Sequence, residues 1–268
     1  MDRNYPDFTY YNGEYYLNAG MSYQDLAEKL QNPDISHKKV KVTIPEGYTV
    51  FDIASTLEKK NVCSAKDFLK ACSTTEGYDY DWLADFPKND PHVGYILEGF
   101  LFPATYDFGE NSKATDIVDA MLEAFDQRIT DEVKTYCKQR GYTLYQFVTL
   151  CSIVQKEALS KSSQGNIAST LENRLDKGMK IECDVTYYYA KALRDHGFSQ
   201  SVYDAYYTYR CPGLPAGPIA NPGTEIMTAT VEHPSTDYLY FFSDLKGNFH
   251  FAATYGEFES LKAKYPWK

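Results

Sequence analysis

Few side chains in this 268-residue sequence stand where they could do chemistry, and Glu157 is the first of them. It closes the run Ser152-Ile153-Val154-Gln155-Lys156-Glu157-Ala158. Leu144, Phe147, Val148, Cys151, Val154 and Ala158 recur at intervals of three and four, which predicts a helix from about Thr143 with one buried stripe. Glu157 sits on or beside that stripe, with Leu150, Ile153 and Val154 one or two turns earlier. A carboxyl there loses water, and lost water favours its neutral form. A carboxyl that stays protonated at neutral pH is what a general acid requires. The same spacing also describes a boundary Glu reaching solvent from a helix end, so spacing alone leaves both roles open. The rival carboxyl is Glu98, among the aromatic residues of Leu97-Glu98-Gly99-Phe100-Leu101-Phe102-Pro103. It could be acid, substrate ligand or structural buttress, and a buried Glu needs hydrogen-bond partners in each role.

Other chemistries find less support. The six cysteines form no C-x-x-C pair, and the five histidines (His37, His92, His196, His233, His250) show no pair at helical metal spacing. We therefore expect free thiols, no catalytic metal and no cofactor. The net charge is -10 and no Lys/Arg-rich run occurs, which excludes a nucleic-acid partner. Aromatic residues make up 16%, with 25 Tyr. Flat faces with polar tips suit sugar-binding grooves, and they suit ordinary cores equally. No apolar run approaches the roughly 20 residues needed to cross a bilayer, and no secretory signal is present. A soluble chain and the soluble part of an anchored protein fit these facts alike.

The elements that must position these groups read as an α+β chain. Residues 1–21 lack a period and are expected to be irregular or a short added strand. Ser22 caps a helix through Leu26, Ala27 and Leu30, stopped by Pro33. Lys39 to Ile44 alternates as a strand, Pro45-Glu46-Gly47 turns, and Thr49 and Ser64 cap two helices. This strand–turn–helix–helix block is expected to form a small module. Residues 73–92 read as a linker with a short helix at Trp82 and Leu83, and Leu97 to Pro103 as extended. One helix is expected from Ser112 to about Arg140, then the Glu157 helix, a third from Ser163 to Lys177 ended by Gly178, and a fourth from Asp184 to Arg194. Residues 210–223, with four prolines and three glycines, form a constrained loop. Tyr238–Ser243 and Phe249–Ala252 flank Lys246-Gly247-Asn248 as a hairpin, and Thr254 opens a closing helix.

Four blocks in order carry a resemblance: Leu97 to Tyr106; Ser152 to Ala158; Asn173-Arg174-Leu175 with Gly178-Met179; and Gly213 to Ile219 followed by Asn221-Pro222-Gly223. Together they resemble the YceG-like (MltG) family of endolytic murein transglycosylases, over about residues 40–265. The resemblance implies a LysM-like module, containing Val42-Thr43-Ile44-Pro45-Glu46-Gly47, followed by a larger mixed helix/strand catalytic domain with a substrate groove. The boundaries expected are 1–38 for an N-terminal extension, 39–90 for the module and linker, and 91–268 for the catalytic domain. It implies cleavage of peptidoglycan glycan strands between N-acetylmuramic acid and N-acetylglucosamine, leaving 1,6-anhydro ends, with Glu157 as acid and then base. Many relatives carry a second Glu where this chain has Gln155.

The resemblance further implies substrate contacts at Glu98, Asn173, Arg174, Asp184, Thr186, Tyr189, Tyr206, Thr208, Tyr209, Leu214, Pro215, Asn221 and His250. Arg174 is equally compatible with a structural ion pair, and His250 with a plain hairpin position. Val185, Tyr207, Ala104 and Glu182 depart from the family's usual Pro, Asn, Asp and Gln. Membrane anchoring outside the cytoplasm and wall-synthesis partners are implied for full-length relatives. A lysozyme-like hydrolase, with Asp184 or Glu98 as second carboxylate, and a non-catalytic wall-binding protein are the alternatives.

Overall fold

The computed structural model describes residue 15 and residues 20–31, 39–158 and 160–267. Most of the irregular N-terminal stretch, the stop at Pro33 and His37 lie outside the described residues. The helix expected after Ser22 is α1 (Tyr23–Gln31). β1 (Val40–Thr43) follows, and its alternation places Val42 in the core, with Ile44 just beyond it. α2 (Val50–Lys59) starts at a Thr49–Asp52 capping box, and α3 (Ala65–Cys72) starts at Ser64. Ile53, Ala54 and Leu57 of α2 and Phe68 of α3 turn into the core.

β1 pairs antiparallel with β2 (Thr105–Phe108), Val42 lying opposite Tyr106. The strand–helix–helix block is thus closed by a strand from beyond residue 90. The intervening segment is more than a linker. A 3₁₀ turn at Asp81–Asp85 sends Leu83 into the core, and Trp82 stacks on Phe100 at 5.5 Å. Leu97 to Pro103 is not extended. Residues 96–99 form a turn, with the Phe100 N–H bonded to the Leu97 carbonyl and Gly99 at φ +88°. A Cβ on Gly99 would lie 2.5 Å from Pro218, so the residue must be glycine for space as well as for backbone. The density of apolar residues here reports burial on every side of a turn.

The single helix expected over 112–140 is two, α4 (Ala114–Asp126) and α5 (Asp131–Arg140). Thr130 caps the second by accepting from the Val133 N–H. The apolar stripe runs on through Ile129 and Val133, which conceals the break. α6 (Leu144–Glu157) begins at a Thr143–Gln146 capping box. It carries more than one stripe: Phe147 through Val154 are all buried, as befits a helix at the centre of the body. α7 (Lys161–Asp176), α8 (Asp184–Asp195) and α10 (Thr224–Val231) pack around it, α9 (Gln200–Tyr206) against α8. α9 and α10 sit in segments where no helix is expected from the pattern. Ser199 caps the first, and the second follows Gly223 directly. The hairpin β3 (Tyr240–Ser243) and β4 (Phe249–Ala252) and the closing helix α11 (Tyr255–Lys264), capped by Thr254 and Glu257, stand as expected. No helix among the described residues is long and apolar enough to cross a membrane.

One buried polar hub ties these parts together. Asn221 is fully buried, and its backbone exchanges hydrogen bonds with the 47–48 turn: Gly47 N–H to Asn221 O at 2.8 Å, Asn221 N–H to Tyr48 O at 2.9 Å. Its amide donates to Tyr48 O and to Glu98 Oε1, each at 2.9 Å, and accepts the Leu101 N–H at 2.8 Å. Glu98, also fully buried, accepts the Val50 N–H at the start of α2 at 2.9 Å. Replacing Asn221 by Ala leaves the buried Leu101 N–H without its partner and removes the amide's bonds to Tyr48 O and Glu98 Oε1. We expect Asn221→Ala to lower the unfolding free energy by about 3 kcal/mol or more, measured by urea denaturation. A loss below about 1 kcal/mol contradicts the hub's role.

Candidate active site

Glu157 is the last residue of α6, where the apolar centre of the molecule meets a surface cleft. The cleft encloses about 560 Å³. Its floor holds Glu157 and the N-terminus of α8, Cys183 and Asp184; Arg174 and Tyr209 stand beside them. Burial holds the Glu157 carboxyl up at about 7. The Asp184 carboxylate adds to the rise, while the Cys183 thiol and Val185 N–H oppose it from the start of α8 without reaching hydrogen-bond geometry. Near neutrality the group therefore exchanges a proton with little cost in either direction, as an acid–base catalyst requires.

The residues around it are held by backbone contacts. The Arg174 guanidinium donates to the Lys180 carbonyl (2.7 Å), to the Leu239 carbonyl (2.9 Å) and to Glu182 (2.5 Å). Arg174 makes the structural ion pair that was one of its two expected roles, and its side chain lines the cleft. Asp184 accepts the Tyr209 hydroxyl at 3.0 Å. Thr186 and Thr208, both buried, bond to each other at 2.9 Å, and Thr208 Oγ1 accepts the Cys183 N–H. They brace the start of α8 from behind and do not line the cleft.

The other expected contacts lie elsewhere. Glu98 has no exposed surface, and burial pushes its carboxyl up to about 8 against the donors Val50, Tyr189 and Gly99. The Tyr189 ring is buried beside it, its hydroxyl acting on the charge without a partner in hydrogen-bond geometry. Tyr206 is fully buried and accepts the Gly94 N–H at 3.1 Å. Asn221 is the hub described above. The Asn173 amide donates to the carbonyls of Thr236 (2.7 Å) and Tyr238 (3.0 Å), fastening the approach to β3. His250 bonds to Asp244 at 3.0 Å and stacks on Tyr265. Leu214 and Pro215 line a separate cavity of about 550 Å³ with Arg140, Tyr142 and Tyr145. None of these residues lines the Glu157 cleft. Gln155, at the place of the relatives' second Glu, turns to accept the Gly223 N–H at 3.0 Å.

The cleft's outer walls were invisible to spacing. They are aromatic: Tyr240 and Phe241 of β3, Phe249 of β4, Tyr255 and Phe258 of α11, and Trp267. Tyr240 packs edge-on to Tyr255 at 5.8 Å and tilted on Phe258 at 5.4 Å. The aromatic surplus and the Phe/Tyr alternation of the hairpin were the available signals. Nothing in them joined residues 240–267 to residue 157. Among the described residues no group of three or more His, Cys, Asp or Glu is gathered to hold a metal.

A family model described as the YceG-like family matches residues 3–264. The chain is 30% identical over 263 residues to an endolytic murein transglycosylase of Bacillus subtilis (strain 168), covering 94% of this chain and 72% of that protein. It is 29% identical over 275 residues to a protein of the same name from Streptococcus pneumoniae (serotype 2, strain D39), covering 93% of this chain and 49% of the relative. The chain thus spans about half the length of the streptococcal protein. A 2.6 Å crystal structure of a YceG-like protein from Listeria monocytogenes superposes with a TM-score of 0.69 at 30% identity, covering 94% of this chain and 85% of that one.

Glu157 leaves a signature in stability. Its folded value of about 7 lies above its ordinary 4.5, so the stability tied to its neutral form is complete below pH 4.5 and is lost as pH rises through 7. Glu157→Gln stays uncharged throughout. Melts of both proteins from pH 4 to 8 should show the wild type falling behind the variant between 4.5 and 7 and keeping a constant deficit above. A difference that does not change with pH contradicts the burial of this carboxyl.

Proposed function

The chain belongs to the YceG-like family, and from that membership we propose that it cleaves the glycan strands of peptidoglycan within their length as a lytic transglycosylase, Glu157 acting first as acid and then as base. The observation that carries this reading is the Glu157 carboxyl, held at about 7 in a cleft walled by aromatic rings. The names of the Bacillus and Streptococcus relatives support the same substrate class.

The chemistry follows from one carboxyl used twice. Glu157 gives its proton to the bridging oxygen as the bond from C1 of the muramoyl residue breaks, and becomes a carboxylate. The C6 hydroxyl of the same sugar attacks C1, and its proton returns to Glu157. The enzyme is regenerated, one end is a 1,6-anhydro ring, and no water is consumed. Desolvation serves this cycle, because it keeps the acid form present at neutrality. Aromatic faces suit the apolar faces of sugar rings, and Tyr tips add hydrogen bonds. In this reading Arg174 and Asp184, which line the cleft, orient the strand, and Tyr209 holds Asp184. The buried Glu98, Thr186, Tyr189, Tyr206, Thr208 and Asn221 act in this reading as scaffold. The LysM-like character of residues 39–90, the catalytic domain at 91–268, anchoring outside the cytoplasm and wall-synthesis partners belong to the same proposal and rest on the resemblance.

A hydrolase is the second reading, and Asp184 favours it: it is a second carboxylate on the same cleft, able to activate a water where two suitably spaced carboxyls flank the bond. Muropeptide mass analysis after digestion of long strands decides between them. We expect mid-length fragments with ends lighter by one water than their reducing counterparts. Borohydride-reducible ends as the main product favour the hydrolase. Glu157→Gln should fold and melt no lower than the wild type at neutral pH while turnover falls by about 100-fold or more. Turnover that survives removes Glu157 from the mechanism. Strand binding without turnover in the wild type points to a wall-binding protein.

A further inference from the structure

A second concave surface lies at the far end of α8 from the cleft. It encloses about 620 Å³ between α3 and the turn that follows α8. Lys66 and Lys70 line one side with Leu69, and Tyr95, His196 and Phe198 the other. Tyr95 stands edge-on to Phe198 at 5.3 Å, and the His196 ring stacks on Phe51 at 4.0 Å, so the far wall is aromatic and fixed. The two lysines are four residues apart on one helix face, a spacing at which like charges repel. Among the described residues neither ammonium forms an ion pair, and no carboxylate lines the surface. In a chain of net charge -10, this is a cationic depression on an otherwise acidic molecule.

We propose that this depression binds the carboxylate-bearing peptide stems of the strand whose sugars lie in the Glu157 cleft. The proposal rests on the function argued above. α8 joins the two places: Asp184 at its start lines the cleft, and His196 follows its last residue. Its 12 residues set them about 18 Å apart, a separation that a few linked sugars span. A neutral glycan needs no cations, whereas the peptide substituents of peptidoglycan carry carboxylates and apolar side chains. Paired lysines answer the first, and the Tyr95–Phe198 wall answers the second.

The test uses the full chain carrying Glu157→Gln, so that no strand is cut. Isothermal titration with a synthetic stem peptide bearing free carboxylates should show binding. Amide shifts should fall on α3 and residues 195–198. Affinity should drop about tenfold or more when Lys66→Ala and Lys70→Ala are combined, as loss of a charge pair with its partner implies. The fully amidated peptide should bind correspondingly less. With Glu157 intact, the lysine variant should show a raised KM on peptide-bearing strands and an unchanged one on strands stripped of peptide. Equal affinity in the lysine variant, or for the amidated peptide, overturns the proposal. Inorganic phosphate that binds as tightly as the peptide overturns it too, since the surface then reads charge alone. A variant that melts lower but binds equally assigns the lysines to the negative end of α8 instead. Retained turnover in Glu157→Gln would sink the catalytic reading and leave the peptide titration standing on its own result.

Discussion

The structure depends on the need to pair polar groups that lie out of reach of water. Asn221 and Glu98 are fully buried, and each unpaired atom would forfeit its hydration without return. Their bonds reach the 47–48 turn, the first turn of α2 and the Leu97–Leu101 turn. From the same loop, the Ile219 N–H donates to Ser152 Oγ and the Gly223 N–H to Gln155, both on α6. Lys156 completes the fastening through the Gly47 carbonyl at 3.2 Å. Segments separated by more than 170 residues are thus pinned to the last turn of one helix. A carboxyl at that turn has a defined place, and its acidity follows from that place.

The blocks that carry the family resemblance acquire a physical meaning here. Leu97-Glu98-Gly99, Asn221-Pro222-Gly223, Ser152 to Lys156 and Pro45-Glu46-Gly47 are one knot. Gly223 shows how tight it is: a Cβ there would lie 1.9 Å from a Glu46 carboxylate oxygen. The resemblance implies substrate contacts at Glu98 and Asn221, and both lie fully buried in this knot.

What was legible in the sequence was local. Thr49 and Ser64 cap the helices they were expected to cap and Thr254 opens the closing helix as expected, because a cap is decided within four residues. The 240–252 hairpin follows from its alternation and its Gly247 turn. The apolar flank of Glu157 put it at the edge of a buried stripe and left its role open. The failures share a cause. The Leu97–Pro103 turn looked extended because it is dense in apolar residues, and periodicity reports burial but not chain direction. The break at Thr130 hid behind an unbroken stripe. The aromatic walls of the cleft come from β3, β4 and α11, more than 80 residues beyond Glu157, and no spacing rule reaches across that distance.

Burial at the junction of α6 and α8 keeps Glu157 protonated into the neutral range. Carbon-13 NMR titration of its side-chain carboxyl tests this most directly, with Glu157→Gln supplying the assignment. The midpoint is expected at about 7. A midpoint at or below the ordinary 4.5 would contradict it.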